Sequence, residues 1–285
     1  MAARDIYAVG ARIRMTLPTL TDLEGRIVAV MMESGFGERT ALRDVAEATG
    51  VSEAMIVKTA KKLGFDGFRD CRAQLGRYHA LPSAALHREI APDDSAAVIL
   101  SKVFNTAVQA LQETLAILDV RVFEAVVDAI CAARHRDLYG IGGSAQIARD
   151  VAHKFLRIGV RSAIYDDSHM MLMSASLLDE RDVAIAFSHS GRTSAVIEAL
   201  RLAGENGATT IAITNFASAP LAEIASLVLC STARGSPLLG ENAAARVAQL
   251  NIMDAVFAAV AQRDYESAEA NLQRTSGAVV PKREK

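Results

Sequence analysis

The sequence predicts an all-α helix-turn-helix domain followed by an α/β domain, which is doubly wound around a mostly parallel five-stranded sheet. Three observations support this. Apolar residues recur at helical spacing through the first 79 residues. From residue 138 to residue 230, apolar runs of strand length alternate with helical stretches, as in a parallel sheet covered by helices. Between these regions, Pro82 and Pro92 interrupt the helical pattern and indicate a linker.

Length and composition suit an ordinary globular protein. The 285 residues are enough for two domains, and 51% hydrophobic residues supply material for both cores. No apolar run approaches the roughly 20 residues that span a bilayer, and no signal-type apolar segment follows the N-terminus. We therefore expect a cytoplasmic protein without a membrane partner. Three widely spaced cysteines suggest neither a disulfide framework nor a zinc cluster.

The predicted domain limits follow from these patterns. We expect the helix-turn-helix domain over residues 1–79, a linker over 80–97, the α/β domain over 98–272 and a flexible tail over 273–285. The helix predicted at 95–118 has a broad apolar face, so it must pack on its own domain or on a partner subunit. Strands are predicted near Leu138–Ile141, Ser162–Tyr165, Val183–Phe187, Thr209–Thr214 and Leu227–Cys230.

The string Ser-His-Ser-Gly-Arg-Thr at 188–193 is the most informative segment. It follows an apolar strand and precedes a helical stretch, so its backbone amides lie at a helix N-terminus, where an anion is favoured. The hydroxyl groups add hydrogen-bond donors without adding charge. An ordinary helix cap rich in Ser and Thr is the alternative. The side chains and backbone predicted to bind a phosphate belong to Ser188, His189, Ser190, Gly191 and Thr193.

A second loop, Gly142-Gly143-Ser144, follows the first predicted strand and opens the next helix. Its glycines allow close backbone approach to a ligand, and Ser144 can serve as helix cap or phosphate donor. The surrounding residues do not form a dinucleotide fingerprint, although Asp166 and Asp167 keep NAD open as a minor alternative.

The segment from Thr40 to Gly64 is typical of a helix-turn-helix. Leu42 and Val45 face inward from a short helix, Gly50 lies in the turn, and Ser52 is positioned to cap a second helix. In such a motif the second helix enters the major groove of DNA. A plain helical hairpin with a solvated lysine face is the alternative. The residues predicted to contact DNA are Ser52, Glu53, Lys58, Lys61 and Lys62.

These motifs together resemble the RpiR family of bacterial transcription regulators. The resemblance rests on AEATGVSEA at 46–54, KKLGFDGF at 61–68 and SHSGRT at 188–193, and it spans essentially the whole chain. It implies a DNA-binding domain joined to a sugar isomerase (SIS) domain that senses a phosphorylated sugar or sugar acid. Gly142, Gly143 and Ser144 then match the first ligand loop, and residues 188–193 match the phosphate loop. The recognition helix carries Met55, Lys58 and Thr59 where the family often has Thr, Arg and Phe. These differences affect which operator sequence is expected more than they affect the expected activity.

A sugar-phosphate isomerase of the same fold is the rival hypothesis. Isomerisation needs a base beside the carbonyl carbon, for which Glu241 is the best candidate, with help from His189 or His169. No lysine occurs between Lys154 and Lys282, so the set of acid and base residues that isomerisation needs looks incomplete. Glu241 is better interpreted as an acceptor for a ligand hydroxyl, with Arg246 as a neighbouring anion or structural contact.

The partners and cofactors follow from this interpretation. We predict no catalytic residue, cofactor or metal site, because helix capping explains Asp166, Asp167 and His169. The predicted partners are double-stranded operator DNA, a phosphorylated effector and a second copy of the chain, in a homodimer or homotetramer. Two-fold half-sites in DNA require a two-fold protein.

Overall fold

The computed structural model describes residues 3–33, 35–81, 90–233 and 243–279. The chain forms two compact units: Met1–Ile117 with Thr232–Ala244, and Leu118–Ser231 with Ala245–Lys285. The helix after the linker therefore groups with the N-terminal helices. The predicted limits of the two domains stay predictions.

The first unit is all-helical where it is described. Its helices are α1 (Ala3–Thr16), α2 (Asp22–Met31), α3 (Leu42–Thr49), α4 (Glu53–Lys62), α5 (Phe68–His79) and α6 (Ala96–Ile117), with a 3-10 turn at Leu17–Thr19. Side chains from α2, α4 and α5, among them Ile27, Ile56 and Leu75, are completely buried together. Val9 and Ile13 of α1 and Val45 of α3 belong to the same apolar core, which holds the α3–α4 pair in place.

The second unit alternates helices and strands. Its elements are α7 (Val120–Ala132), β1 (Arg136–Gly140), α8 (Gly143–Arg157), β2 (Ala163–Tyr165), α9 (Ser168–Ala175), β3 (Val183–Phe187), α10 (Ser194–Glu205), β4 (Thr209–Thr214), α11 (Pro220–Ile224), β5 (Leu227–Cys230), α12 (Ala243–Arg263) and α13 (Tyr265–Val279). All neighbouring strands pair in parallel, in the order β2-β1-β3-β4-β5. This confirms the doubly wound five-stranded sheet.

β3 shows why the sheet is covered on both faces. All five of its residues are buried. Val183, Ile185 and Phe187 lie in one apolar cluster, whereas Ala184 and Ala186 lie in the other. Since successive strand residues point to opposite faces, helices must cover both sides, as the uninterrupted apolar run predicted.

α12 is an apolar helix that packs on the sheet. Among the described helices it alone is long and apolar enough to cross a membrane, judged by length and composition. Ile252, Met253 and Val256 are buried in the cluster that also contains Ile185 of β3. One side of this helix is therefore buried against the sheet.

The C-terminal helix overlaps the flexible tail that we predicted over 273–285. Helix α13 extends to Val279, so residues 273–279 are helical, and the flexibility of the tail stays a prediction. Asn271 donates a hydrogen bond to the carbonyl of Ile158 at 3.2 Å, and Thr275 donates one to the carbonyl of Arg157 at 3.3 Å. These contacts satisfy carbonyls at the end of α8, which the sequence pattern of the tail does not reveal. Residues 280–285 lie outside the described part of the chain.

Candidate functional site

The strand order places both predicted ligand loops at one point of the sheet. β1 and β3 are neighbours, with Gly140 paired to Phe187 at their carboxyl ends. β1 is followed in the chain by β2 on one side, and β3 is followed by β4 on the other. This reversal creates a crevice at the carboxyl ends of β1 and β3, the position where open α/β sheets bind ligands. The loops that open α8 and α10 both begin there.

Glycines shape the first loop. A Cβ on Gly140 would lie 3.0 Å from the carbonyl carbon and oxygen of Ser144, so the loop turns back closely over the strand end. Gly142 has φ 60° and ψ −123°, a conformation that L side chains rarely adopt, and it precedes the first residue of α8. Ser144 is half-buried and does not cap α8, since no side chain does. The Ser144 amide donates to the carbonyl of Ile141 at 3.2 Å, and no side chain caps the other amides of the first turn, which are left to a ligand.

Arg246 of α12 reaches this loop. A Cβ on Gly143 would lie 2.8 Å from Nη2 of Arg246, so a larger residue there would displace the guanidinium. Arg246 is exposed, and it forms no ion pair with any other described residue. The guanidinium and the start of α8 both carry positive charge, so an anion placed between them would be held by both.

Hydroxyl groups organise the second loop from within. Ser188 is buried, and its Oγ accepts the amide of Gly191 and lies 3.1 Å from Oγ1 of Thr193. Thr193 occupies the cap position of α10 without capping it through its side chain. Ser188 thus holds the loop in shape in this conformation, whereas the half-buried Thr193 faces the open end of α10.

Gly191 makes this loop compact. Its φ is 61°, and a Cβ there would lie 2.4 Å from Cβ of Ala219 and 2.9 Å from Oγ1 of Thr214. The Gly191 carbonyl accepts the amide of Leu221 in α11. Only glycine fits both the backbone conformation and the space, so the loop is locked against the segment that follows β4.

Of the remaining loop residues, His189 and Ser190 are half-buried and Arg192 is exposed. The His189 ring packs edge-on against Phe216, with ring centres 5.9 Å apart. Ser190 Oγ accepts the amide of Arg192 at 3.2 Å. Arg192 is exposed, and it is the one charged residue in the two ligand loops. Because neither loop carries a carboxylate, an anionic ligand meets no charge repulsion there.

Polar residues at the ends of β4 and β5 extend the site beyond the sequence prediction. Thr214 ends β4, Asn215 follows it, and Ser231 follows β5; all three are buried. The backbone N–H of Asn215 donates a hydrogen bond to the carbonyl of His189 at 3.0 Å. The signal that could have identified them is a polar pair directly after an apolar strand, the same signal that identified Ser188.

The other sequence predictions for this domain have mixed outcomes. Glu241 lies outside the described residues. Asp167 caps α9 by accepting the amides of His169 and Met170, whereas Asp166 does not cap the helix but forms an ion pair with Arg149. Within the described ranges, no group of three or more His, Cys, Asp or Glu side chains is placed to hold a metal ion.

In the first unit, α3 and α4 form the predicted helix-turn-helix. Gly50 ends α3 in the left-handed conformation, with φ 68°, and Ser52 precedes α4 as its cap residue without a side-chain bond. Val45 and Ile56 are buried between the two helices. The outward face of α4 is exposed, as a recognition helix requires. Its exposed residues include Ser52, Glu53, Lys58, Lys61 and Lys62.

Lys62 differs from the other predicted DNA contacts. Its ammonium nitrogen lies 2.7 Å from a carboxylate oxygen of Glu24 and 2.9 Å from the carbonyl oxygen of Thr19. The Lys62 ammonium, helped by the amide of Thr21, lowers the pKa of Glu24 below its ordinary value of 4.5. Lys62 therefore ties α4 to α2, whereas Lys58 and Lys61 form no ion pair with any described residue.

Comparison with known proteins agrees with both units. The rpiR-family helix-turn-helix domain matches residues 8–81, and the SIS domain matches residues 129–259. The chain is 46% identical to the HTH-type transcriptional regulator RpiR of Escherichia coli K12, over 94% of this chain and 90% of that protein. It is 31% identical to an uncharacterised HTH-type transcriptional regulator of Caldanaerobacter subterraneus, over 95% and 96% of the two chains.

Solved structures show the same fold. The Vibrio vulnificus NanR protein complexed with ManNAc-6P has a TM-score of 0.62 and 24% identity, and the match covers 97% of this chain and all of that one. The sugar isomerase domain of an RpiR transcription factor from Sphaerobacter thermophilus has a TM-score of 0.57 and 28% identity, over 62% and 98% of the chains. The chain belongs to the RpiR family of helix-turn-helix transcriptional regulators, with a C-terminal SIS domain.

Proposed function

We propose that a phosphorylated sugar or sugar acid, bound in the crevice between β1 and β3, controls the binding of this regulator to operator DNA. The observation that carries this proposal is the meeting of two uncapped helix N-termini, those of α8 and α10, at the switch point of the sheet. Their open amides and the nearby hydroxyls form an anion site.

The two ligand loops bind opposite ends of the effector and so fix its orientation. The phosphate is held at the start of α10 by Ser190, Thr193 and the loop amides, on the scaffold that Ser188 and Gly191 maintain. The sugar extends toward Gly142, Gly143 and Ser144, where Arg246 is available to a second anionic group. The Vibrio NanR protein, whose structure contains ManNAc-6P, supports a phosphosugar as the ligand class.

DNA is contacted through α4 in our proposal. Lys58 and Lys61 reach the phosphates and base edges, and Ser52 and Glu53 lie at the end of the helix that enters the groove. We propose a cytoplasmic homodimer or homotetramer, because paired half-sites need paired recognition helices. Control of genes of carbohydrate metabolism follows from the class of effector.

Isomerase activity is the alternative that the site supports less well. A proton must move between two neighbouring carbons of the sugar, and this needs a positioned base. In the two described ligand loops, His189 is the one candidate base, and its ring packs against Phe216. We therefore propose a sensor without catalytic function.

The test compares binding and turnover in one preparation. DNA from upstream of the coding region and scrambled DNA are titrated at fixed salt, with and without a mixture of ribose 5-phosphate, fructose 6-phosphate and N-acetylmannosamine 6-phosphate. Specific binding that the mixture changes, without conversion of any component, supports the proposal. Conversion of a sugar phosphate by a protein with no DNA preference would establish an isomerase instead.

A further inference from the structure

We propose that a chain of buried polar contacts carries the state of the effector loop to the helix-turn-helix bundle through α6. This inference rests on the proposed function and adds the route by which the effector acts. The route starts at His189, passes along the ends of β4 and β5, and ends on α1 and α5. Each of its steps is a hydrogen bond, an ion pair or a peptide bond.

The first part of the route lies beneath the phosphate loop. The His189 carbonyl accepts the amide of Asn215 at 3.0 Å and the hydroxyl of Thr214 at 3.3 Å. Ser231 donates its hydroxyl to Oδ1 of Asn215 at 3.1 Å and its amide to the carbonyl of Thr214 at 2.9 Å. Thr214, Asn215 and Ser231 are at most 2% exposed. A shift of the His189 backbone on ligand binding would therefore disturb buried hydrogen bonds. Water cannot replace these hydrogen bonds, because it does not reach the groups.

The second part crosses from one unit to the other along the chain. The peptide bond between Ser231 and Thr232 is one of the three places where the chain passes between the units. The Thr232 amide donates to Oγ1 of Thr114 at 3.0 Å, and that hydroxyl donates back to the Thr232 carbonyl at 3.4 Å. Thr114 lies near the end of α6, beside the crossing at Ile117. The hydrogen bonds between Thr232 and Thr114 therefore join the crossing after Ser231 to the helix that ends at the crossing after Ile117.

The third part joins α6 to the DNA-binding bundle. Glu113 precedes Thr114 and is fully buried. It forms an ion pair with Arg14 of α1 and accepts the hydroxyl of Tyr78 of α5 at 2.9 Å. Gln109 donates to both Glu113 and Tyr78. Adjacent residues of α6 thus hold the segment after β5 and the helices that flank the helix-turn-helix.

Buried polar contacts of this kind suit transmission. Removing one partner leaves a desolvated polar group, so the groups move together or exchange partners as a set. An effector that favours one arrangement of the loop would then favour one arrangement of α6 against α1 and α5. The binding free energies at the two ends are coupled reciprocally.

The test substitutes Thr114→Val, which keeps the shape of the side chain and removes both hydrogen bonds to Thr232. Thr106→Val is the matched control, since the Thr106 hydroxyl bonds the carbonyl of Lys102 within the same helix. DNA affinity of the full-length protein is measured with and without the mixture of three sugar phosphates, and binding of the mixture is followed by calorimetry. A second variant, Tyr78→Phe, removes the hydroxyl that joins the bundle to Glu113.

We expect the mixture to change DNA affinity about 5-fold or more in the wild type and in Thr106→Val, the range of ordinary allosteric coupling. In Thr114→Val the change falls toward none, and in Tyr78→Phe it is reduced, because the ion pair of Arg14 with Glu113 remains; each variant still binds the mixture and DNA separately. A full response in either of these two variants would overturn the route. If Thr114→Val fails to fold, Tyr78→Phe decides the matter. No response in the wild type would instead refute the proposed function.

Discussion

Gly191→Ala is expected to destabilise the SIS domain by deforming the phosphate loop. The new methyl group meets two obstacles there. The backbone has φ 61°, and the Cβ would lie 2.4 Å from the Ala219 Cβ. The first obstacle is conformational and the second is steric. Gly142→Ala serves as the control, because it meets a conformational obstacle without the steric one. Gly142 has nearly the same φ, 60°, but no atom lies within 4 Å of its Cβ position.

The magnitudes follow from this difference. An L residue with positive φ costs about 1–2 kcal/mol in the left-handed helical region, taken here for Gly191, and about 1–3 kcal/mol in the sparsely populated region of Gly142, whose ψ is −123°. Forcing a methyl group into a packed site adds about 1–3 kcal/mol at Gly191 alone. We therefore expect about 2–5 kcal/mol for Gly191→Ala and about 1–3 kcal/mol for Gly142→Ala. Ala219 cannot swing aside like a long side chain, because Leu221 is bonded to the Gly191 carbonyl nearby.

Thermal unfolding of the two variants measures the contrast. A loss of 1 kcal/mol lowers the melting temperature of a domain of this size by about 2–4 °C, so Gly191→Ala should melt clearly below Gly142→Ala. Equal melting temperatures would refute the close packing of the loop against Ala219. An unperturbed Gly191→Ala would also contradict the conformation assigned to the loop.

Three further predictions concern charges. Lys58→Ala with Lys61→Ala should weaken DNA binding and flatten its salt slope by about 2, since each lysine neutralises about one phosphate; an unchanged slope would remove α4 from the interface. Lys62→Met should lower the unfolding free energy, because Glu24 loses its partner. The pKa of Glu24 lies below 4.5, so this pair stabilises the fold above about pH 4.5 and ceases to do so as the pH falls through the lowered pKa. Urea unfolding should therefore show a smaller difference between wild type and Lys62→Met in acid than at neutral pH; a constant difference would argue against the pair. Arg246→Ala should weaken phosphosugar binding and leave DNA affinity without effector unchanged, as calorimetry and DNA titration would show; unaltered phosphosugar affinity would exclude Arg246 from the site.

The fold could be predicted because its strands are apolar runs with polar ends. Val183–Phe187 is bounded by Asp182 and Ser188, so both ends are visible in the sequence, and the structure has the same bounds. The two ligand loops were predictable for the same reason. β2 is shorter than predicted, at Ala163–Tyr165, and its three residues are only half-buried, so its pattern is weaker.

The remaining features depend on contacts between distant residues. Neither Arg14 nor Glu113 stands out in a helical pattern, and their pairing exists only because α1 packs on α6. Thr232 likewise gains its role from Thr114. The helix at the C-terminus is stabilised by carbonyls of α8, which no local pattern of Gly277 or its neighbours shows. Such tertiary contacts override local expectation.

The most direct test of the account measures DNA affinity across a titration of the sugar-phosphate mixture, for the wild type and for Ser190→Ala combined with Thr193→Val. These two hydroxyls are chosen because Ser188 is buried and supports the loop itself. The account predicts that the mixture shifts the wild-type affinity, whereas the variant binds DNA equally well without the mixture and shows no shift. A variant that responds like the wild type would place the effector elsewhere and contradict the central claim.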